Sequence, residues 1–210
     1  MKKSGNHLPI VASSVDLSIV ESLSVTTMVQ EFANPESGYA CEISYVFPKR
    51  KNSVVSKVVF RVGDKVVEAK VYEKEEAKEK YDDAVATGKS AAIMGSRSDF
   101  YDIDIGNVAA GQKVVVEITI VAPLQITLGS FDYFLPAINF PTKSGQAEML
   151  FTAKIQSSQK LSHISYTKSC EVMSQNENSI SVKKRYLEFS GENIHMYYRT
   201  EGMDIPKCYF

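Results

Sequence analysis

The segment VDLSIVESLSVTTMVQEFA, residues 15–33, indicates the fold class of this 210-residue chain. Apolar and polar residues alternate along much of it, and Val, Ile and Thr are frequent. Such alternation places successive side chains on opposite faces of a strand, and β-branched residues favour that conformation. The segment therefore predicts that the chain opens as antiparallel β-sheet.

Strand-like segments also make up most of the chain that follows. The segment VVSKVVFRVGDKVVEAKVY, residues 54–72, predicts a hairpin that bends at Gly63 and Asp64. Short strand-like runs separated by polar turns occupy 147–199, and this spacing is typical of a β-sandwich. The polar stretch TKSGQ, residues 142–146, predicts a boundary between two parts. The expected fold is mainly β, an antiparallel β-sandwich in 1–145 followed by a smaller all-β region in 146–210.

The segment EKEEAKEKYDDAVAT, residues 73–87, departs from the strand pattern. Ala77, Tyr81, Ala84 and Val85 recur at helical spacing and form one apolar stripe, so one α-helix is predicted over about 73–87. Gly88 stands where a left-handed helix C-cap is expected. The helix is therefore an insertion between strands of the sandwich.

The triplet Gly88, Lys89 and Ser90 has the composition of a phosphate-binding loop, but its context is wrong. The first glycine of that pattern would be at position 83, which is Asp83. A phosphate loop also precedes a helix N-terminus, whereas this triplet follows a predicted helix. The triplet predicts a helix cap, and no cofactor-binding residue is predicted.

The acidic run DFYDIDIG, residues 99–106, lacks the spacing and the distant glutamate of a calcium loop. Strand alternation would instead place Asp102 and Asp104 outward into water, and the alternate residues Tyr101, Ile103 and Ile105 inward. The three histidines are far apart, and none has an acid or a cysteine at ligand or triad spacing. They are His7, His163 and His195. No catalytic or metal-binding residue is predicted, and the chain is not expected to be an enzyme.

Composition limits the partners and the compartment. Lys plus Arg (24) nearly equals Asp plus Glu (25), so charge does not favour nucleic acid as a partner. Polar residues interrupt every apolar run, so neither a signal peptide nor a membrane span is predicted. Cys41, Cys170 and Cys208 are odd in number and widely spaced, which predicts reduced thiols and a cytoplasmic protein. A secreted protein is the alternative.

Several residues occur in the order of a known family signature. These are Phe47, Pro48, Glu73, Lys74, Ala77, Tyr81, Ala84, Gly88, Asp99, Phe100, Gly106 and Asn107. With them the chain resembles the vault protein inter-alpha-trypsin (VIT) domain over about 15–141. It departs from the pattern where Asp99 directly adjoins Phe100, and where Ala110 replaces a frequent proline.

The resemblance implies the arrangement and the role of the two parts. In similar proteins a VIT domain is followed by further β-structure and then by a von Willebrand factor A domain. The part 146–210 is expected to be that connecting region, and the chain is expected to be a fragment of a longer protein. The Asp-x-Ser-x-Ser metal motif of an A domain is absent, since its nearest trace, at 16–20, ends in Val20.

The implied function is a non-catalytic interaction or structural module that packs on or presents a neighbouring A domain. Its partners would be proteins, including the downstream A domain, and the signature residues from Glu73 to Asn107 would serve structure or interaction. Two alternatives remain open: an accessory region of a larger ADP-ribosyltransferase-like enzyme, or of a secreted matrix-binding protein.

Overall fold

The computed structural model describes residues 8–36, 38–68, 82–83, 86, 92–96, 100–140, 147–167, 169–188 and 191–202. Over these residues the chain is mainly β, with three sheets and a short 3-10 helix at Ala137–Asn139. The strands are β1 (Ile10–Val20), β2 (Leu23–Ala33), β3 (Cys41–Pro48), β4 (Val54–Val62), β5 (Lys65–Glu68), β6 (Ala92–Ser96), β7 (Phe100–Val108), β8 (Lys113–Pro123), β9 (Gln125–Thr127), β10 (Ser130–Leu135), β11 (Glu148–Gln156), β12 (Leu161–Tyr166), β13 (Glu171–Gln175), β14 (Ser179–Tyr186) and β15 (Ile194–Thr200).

The largest sheet has eight strands in the order β13-β14-β11-β1-β2-β8-β4-β5. Strands β1 and β2 pair antiparallel, with Val15 opposite Met28, so the predicted opening sheet is confirmed. The hairpin of β4 and β5 is also confirmed, and Gly63 takes a positive φ of 56° at its bend. A left-handed backbone at this turn favours glycine because a Cβ would be strained there.

One pairing in this sheet differs from the antiparallel prediction. Strands β1 and β11 are parallel, with Ala12 opposite Glu148 and Val20 opposite Gln156. Parallel neighbours need a long connection, and the chain between β1 and β11 supplies one. This pairing joins the two predicted parts, 1–145 and 146–210, as does the antiparallel pairing of β10 with β15. The division itself stays a prediction.

Two smaller sheets have the orders β12-β15-β10-β9 and β3-β7-β6. Alternate residues of the large sheet are buried, and they belong to one apolar cluster with buried residues of both smaller sheets. Representative members are Leu17, Ile19, Met28, Phe47, Phe60, Ile103, Ile118, Tyr133, Leu135, Phe151, Met196 and Tyr198. The chain thus forms one shared core, whereas its description as a sandwich stays a prediction.

Buried hydrogen bonds connect β2 to the smaller sheets. The Gln30 side chain is 1% exposed, and its Oε1 accepts a bond of 2.7 Å from the Tyr45 hydroxyl of β3. Its Nε2 donates to the Asn139 carbonyl at 3.0 Å, and the Thr26 hydroxyl lies 3.0 Å from the Tyr133 hydroxyl of β10. Burial also raises the pKa of Tyr45. These bonds supply the partners that buried polar groups require.

Asn34 holds the end of β2 against the turn between β7 and β8. Its buried side-chain amide donates to the carbonyls of Tyr39 and Ala109, each at 3.0 Å, with Val108 at 3.3 Å. Its backbone carbonyl accepts from the amide of Gly111 at 3.0 Å. One side chain therefore satisfies carbonyls from two separate loops, which fixes their relative position.

Most of the predicted helix lies outside the described residues. Only Asp82, Asp83 and Ala86 of the segment 73–87 are described, and these three have helical backbone. The helix, its Gly88 cap and the Gly88-Lys89-Ser90 triplet stay predictions. Over the residues that the structure describes, no helix has the length and apolarity to cross a membrane.

We expect Asn34→Ala to lower the free energy of unfolding by about 1–3 kcal/mol, because it removes the amide donor from the buried Val108 carbonyl and from two partly buried carbonyls. Asn34→Asp, which keeps the shape but removes the amide donors, should be at least as destabilising. Urea unfolding followed by circular dichroism measures both. Equal stability of all three proteins would contradict the role of Asn34 as a clamp.

Glu117 should make stability depend on pH. Its carboxylate lies 3.0 Å from Lys57 Nζ and 2.9 Å from an Arg61 guanidinium nitrogen, and hydrogen bonds to both hold its pKa below the ordinary value of 4.5. A lowered pKa stabilises the fold at any pH above the pKa that the same carboxyl group has in the unfolded chain. This contribution to stability disappears as the pH falls through the pKa of the folded state.

We therefore expect Glu117→Gln to destabilise the protein at about pH 7, by no more than about 1 kcal/mol because the pair is at the surface. The difference from wild type should shrink between about pH 5 and pH 3. Glu171→Gln, at an exposed edge position, is the control and should change stability little at either pH. A pH-independent effect of Glu117→Gln would refute the ion-pair account.

Candidate functional site

The outer side of the sheet β12-β15-β10-β9 carries the most distinctive surface of the described chain. Strand alternation directs Tyr133, Met196 and Tyr198 into the core and leaves their neighbours outside. We name the outward set the aromatic face. It consists of Asp132 and Phe134 of β10, and His195, Tyr197 and Arg199 of β15.

Ring contacts order the aromatic face. Phe134 lies directly opposite His195 across the strand pair, with ring centroids 5.9 Å apart and planes at 85°. The His195 ring lies 5.7 Å from the Tyr197 ring on the same strand. Phe134 remains 43% exposed and Tyr197 40% exposed. The three rings hold one another in place, because edge-on and tilted ring contacts at these distances are stabilising. A large part of each ring still faces solvent.

A short polar contact adjoins these rings. His195 Nε2 lies 2.6 Å from Asp132 Oδ1, although the two residues are 63 positions apart in the chain. The His195 backbone amide also donates to the Thr167 hydroxyl at 3.0 Å. Sequence analysis found no acid near His195, because the contact exists only through the pairing of β10 with β15. The alternation of FDYFL and IHMYYRT is the one sequence signal that places these residues outward.

Arg199 completes the aromatic face at the other end of β15. Its Nε donates to the Ser130 hydroxyl at 3.0 Å, and a terminal guanidinium nitrogen donates to the Leu128 carbonyl at 2.9 Å. Leu128 is 91% exposed and has a positive φ of 51° in the turn between β9 and β10. The arginine therefore fixes the backbone of the turn that carries this exposed leucine.

The chemistry of this face suits binding. The His195–Asp132 contact contains two of the residue types of a hydrolytic triad. In the described part of the chain, however, the His195 ring bonds the Asp132 carboxylate, and no group of three potential metal ligands occurs. Exposed Tyr, Phe and Arg side chains with a polar margin are instead the composition of protein–protein interaction centres.

The described signature residues lie elsewhere: Phe47 and Pro48 end β3, and Phe100, Gly106 and Asn107 belong to β7. Phe100 is 40% exposed, and Gly106 with Asn107 falls at a β-bulge, where Cys41 pairs with Val108 but Ile43 pairs with Ile105. A bulge adds one unpaired residue to a strand, and glycine often marks it. The remaining signature residues, Glu73, Lys74, Ala77, Tyr81, Ala84, Gly88 and Asp99, lie outside the described residues. Their predicted role stays a prediction.

The inward and outward assignment of the acidic run is confirmed where it is described. Ile103 and Ile105 are 0% and 1% exposed, so they face the core. Asp102 and Asp104 occupy the alternate positions of β7, on the outer side of the sheet β3-β7-β6. The signature residue Phe100 shares that outer side.

We expect Phe134→Ala and Tyr197→Ala to lower the free energy of unfolding by no more than about 1 kcal/mol, because both rings lie at the surface, 43% and 40% exposed. Phe47→Ala, in contrast, empties a core position that is 1% exposed and should cost about 3–5 kcal/mol. Thermal unfolding measures the three variants. A loss at Phe134 as large as that at Phe47 would mean that the aromatic face is part of the core.

Sequence comparison relates the chain to proteins of known organisation. Residues 10–120 match the sequence profile of the vault protein inter-alpha-trypsin domain. A von Willebrand factor A domain-containing protein of Dictyostelium discoideum is 31% identical over 145 residues, which is 68% of this chain and 16% of that protein. Human protein mono-ADP-ribosyltransferase PARP4 is 29% identical over 147 residues, which is 69% of this chain and 8% of that protein.

Comparison of structures shows a similar fold in a distant protein. A Legionella pneumophila protein described as nutrient-binding superposes with a TM-score of 0.52 at 8% identity. The match covers 92% of this chain and 67% of that one. At this identity the likeness concerns the fold alone.

Proposed function

The chain belongs to the vault protein inter-alpha-trypsin (VIT) domain family, and we propose that it is a non-catalytic module that positions a neighbouring von Willebrand factor A domain. Relatives that match it are A domain-containing proteins in which the VIT domain precedes the A domain. The observation that carries the proposal is the aromatic face, an ordered and exposed set of rings with an arginine and a histidine–aspartate contact.

The position of this face along the chain supports an occupant that follows in sequence. Strand β15 is the last described strand, and Tyr197 lies five residues before Gly202, which is about 17 Å along an extended chain. A segment that continues from Gly202 therefore begins close to the aromatic face.

The chemistry of the face supports specific contact with a protein surface. Phe134, His195 and Tyr197 contact one another before any partner binds, so little side-chain freedom is lost on association. Arg199 is held by two hydrogen bonds in the same way. Ordered aromatic and arginine side chains are the residues that contribute most to binding energy in protein interfaces.

A second candidate function is an accessory region of a larger ADP-ribosyltransferase. The 29% identity with human protein mono-ADP-ribosyltransferase PARP4 favours it, since that relative is an enzyme of which this chain matches 8%. Docking through the aromatic face would serve either parent protein.

We also propose a cytoplasmic location. The three cysteines are odd in number and widely spaced, which supports reduced thiols and the cytoplasm over the secreted alternative.

We expect the A domain of the Dictyostelium discoideum relative, produced alone, to bind the 210-residue chain in isothermal titration calorimetry. Phe134→Ala and Tyr197→Ala should each weaken binding at least about tenfold, because each removes a preordered ring from the contact. Circular dichroism of each variant establishes that the fold is retained.

Phe100→Ala is the matched control, because Phe100 is 40% exposed on the outer side of a different sheet. It should leave the affinity for the A domain unchanged. The proposal would be wrong if wild type showed no binding at about 100 μM A domain. It would also be wrong if Phe100→Ala weakened binding as much as Phe134→Ala.

A further inference from the structure

A turn rich in positive charge follows β3. We name residues 49–53 the basic turn, because three consecutive cationic residues begin it: Lys49, Arg50 and Lys51. The Arg50 carbonyl accepts hydrogen bonds from the Ser53 amide at 3.3 Å and from the Ser53 hydroxyl at 2.7 Å. These bonds close the turn and give its backbone a defined shape.

The Arg50 side chain attaches the basic turn to β10. One of its guanidinium nitrogens donates to the Phe134 carbonyl at 2.6 Å, and the guanidinium carbon lies 5.4 Å from the centroid of the Tyr133 ring. Both contacts suit a cation, since a carbonyl oxygen accepts its hydrogen and the face of an aromatic ring attracts its charge. Phe134 belongs to the aromatic face, so the basic turn is fixed directly beside that face.

Arg199 places a second guanidinium at the opposite end of the aromatic face. Its hydrogen bonds go to the Ser130 hydroxyl and the Leu128 carbonyl, which carry no charge. Ser130 and Phe134 are four residues apart on β10, which is about 13 Å along a strand. Two arginines therefore flank the aromatic rings, with anchoring points about 13 Å apart.

The positive charge at the two ends has no carboxylate partner within the described chain. Over the residues that the structure describes, no ion pair joins Arg50, Lys51 or Arg199 to an acid. Lys51 is moreover exposed, next in sequence to the arginine that contacts Phe134. The ends of the aromatic face thus carry cations that are available to an anionic group from outside.

The acids beside these cations already have other contacts. Asp132 lies 2.6 Å from His195, and Glu201 lies 3.5 Å from Lys160. Since the whole chain has a formal net charge of −1, the excess of positive charge here is local and not a property of the composition. A local excess of this kind favours a partner surface of the opposite sign.

We propose that the surface that docks on the aromatic face is acidic, with carboxylates that meet Arg199 at one end and Lys51 at the other, on either side of an apolar centre. The inference rests on the proposed docking of an A domain and adds the chemistry of the docked surface. A planar guanidinium matches a carboxylate with two parallel hydrogen bonds, and the bonds of Arg199 to Ser130 and Leu128 orient it before a partner binds.

The rings and the cations contribute differently to this contact. Phe134 and Tyr197 bury apolar surface against any partner of suitable shape, which supplies affinity. Arg199 and Lys51 select among such partners, because complementary charge accelerates association and like charge across an interface is disfavoured. Arg50 is a positioning residue, since its donor is engaged by the Phe134 carbonyl and holds the basic turn in place.

The salt dependence of binding tests the acidic partner. In isothermal titration calorimetry of the 210-residue chain with the A domain of the Dictyostelium discoideum relative, affinity should fall at least about tenfold between about 0.05 M and about 0.5 M sodium chloride. Lys51→Glu should weaken binding at least about fivefold at the lower salt concentration and by less than about twofold at the higher one. A merely structural role of Lys51 would give the same loss at both.

Lys154→Glu is the matched control. Lys154 is exposed on β11 of the large sheet, and its substitution changes the net charge of the chain by the same amount. It should change the affinity by less than about twofold at either salt concentration. Arg199→Gln, which removes the charge and keeps a hydrogen-bond donor, should behave as Lys51→Glu does.

A cross-link tests the position of the carboxylate. A zero-length carbodiimide reagent joins a lysine amine to a carboxylate only where the two are in contact. In the complex, mass spectrometry should find Lys51 joined to an Asp or Glu of the A domain, and Lys154 joined to none. Lys51→Arg should keep the affinity within about twofold, because the charge is retained, and should abolish the cross-link.

The outcomes separate this inference from the proposed function. If the A domain bound with an affinity that did not depend on salt, or if Lys51→Glu and Lys154→Glu had equal effects, the acidic partner would be refuted. Docking at the aromatic face would still stand in that case, provided that Phe134→Ala weakened binding. Absence of any binding by wild type would instead refute the proposed function, and this inference with it.

Discussion

The hydrogen bonds from the core side of β2 to the smaller sheets are the constraint on which the rest of the structure depends. Gln30 bonds the Tyr45 hydroxyl of β3, and Thr26 lies within hydrogen-bond distance of the Tyr133 hydroxyl of β10. Both side chains are 1% exposed, so an unmatched partner would leave a buried polar group unsatisfied at a cost of about 1–3 kcal/mol. Apolar contacts alone tolerate sliding, whereas these bonds specify which strand lies above which.

Once the smaller sheets are placed in this way, strand alternation decides their outer surfaces. With Tyr133 directed at Thr26, the neighbouring Asp132 and Phe134 must point to solvent. With Tyr45 directed at Gln30, Ser44 and Val46 must do the same. The aromatic face and the outer side of the sheet β3-β7-β6 thus follow from the same core contacts.

The two surfaces differ in how far the sequence could predict them. The outward positions of Asp102 and Asp104 follow from alternation within one strand, and their prediction is confirmed. The neighbourhood of His195 could not be found in this way, because Asp132 and Phe134 come from a strand about 60 residues earlier. The structural role of the signature residues Gly106 and Asn107 could not be read from the sequence. It follows from the register of β3 and β7, which shows a bulge at these two residues.

Local pattern by itself determined that this protein is mainly β, where its hairpins bend and which side chains of a strand share a face. Those properties depend on the period of two and on β-branched or glycine residues within a few positions. Tertiary structure decided the parallel pairing of β1 with β11, the contact of His195 with Asp132 and the clamp made by Asn34. Each of these joins residues far apart in the chain, and the choice among possible strand neighbours depends on shared burial and on partners for buried polar groups.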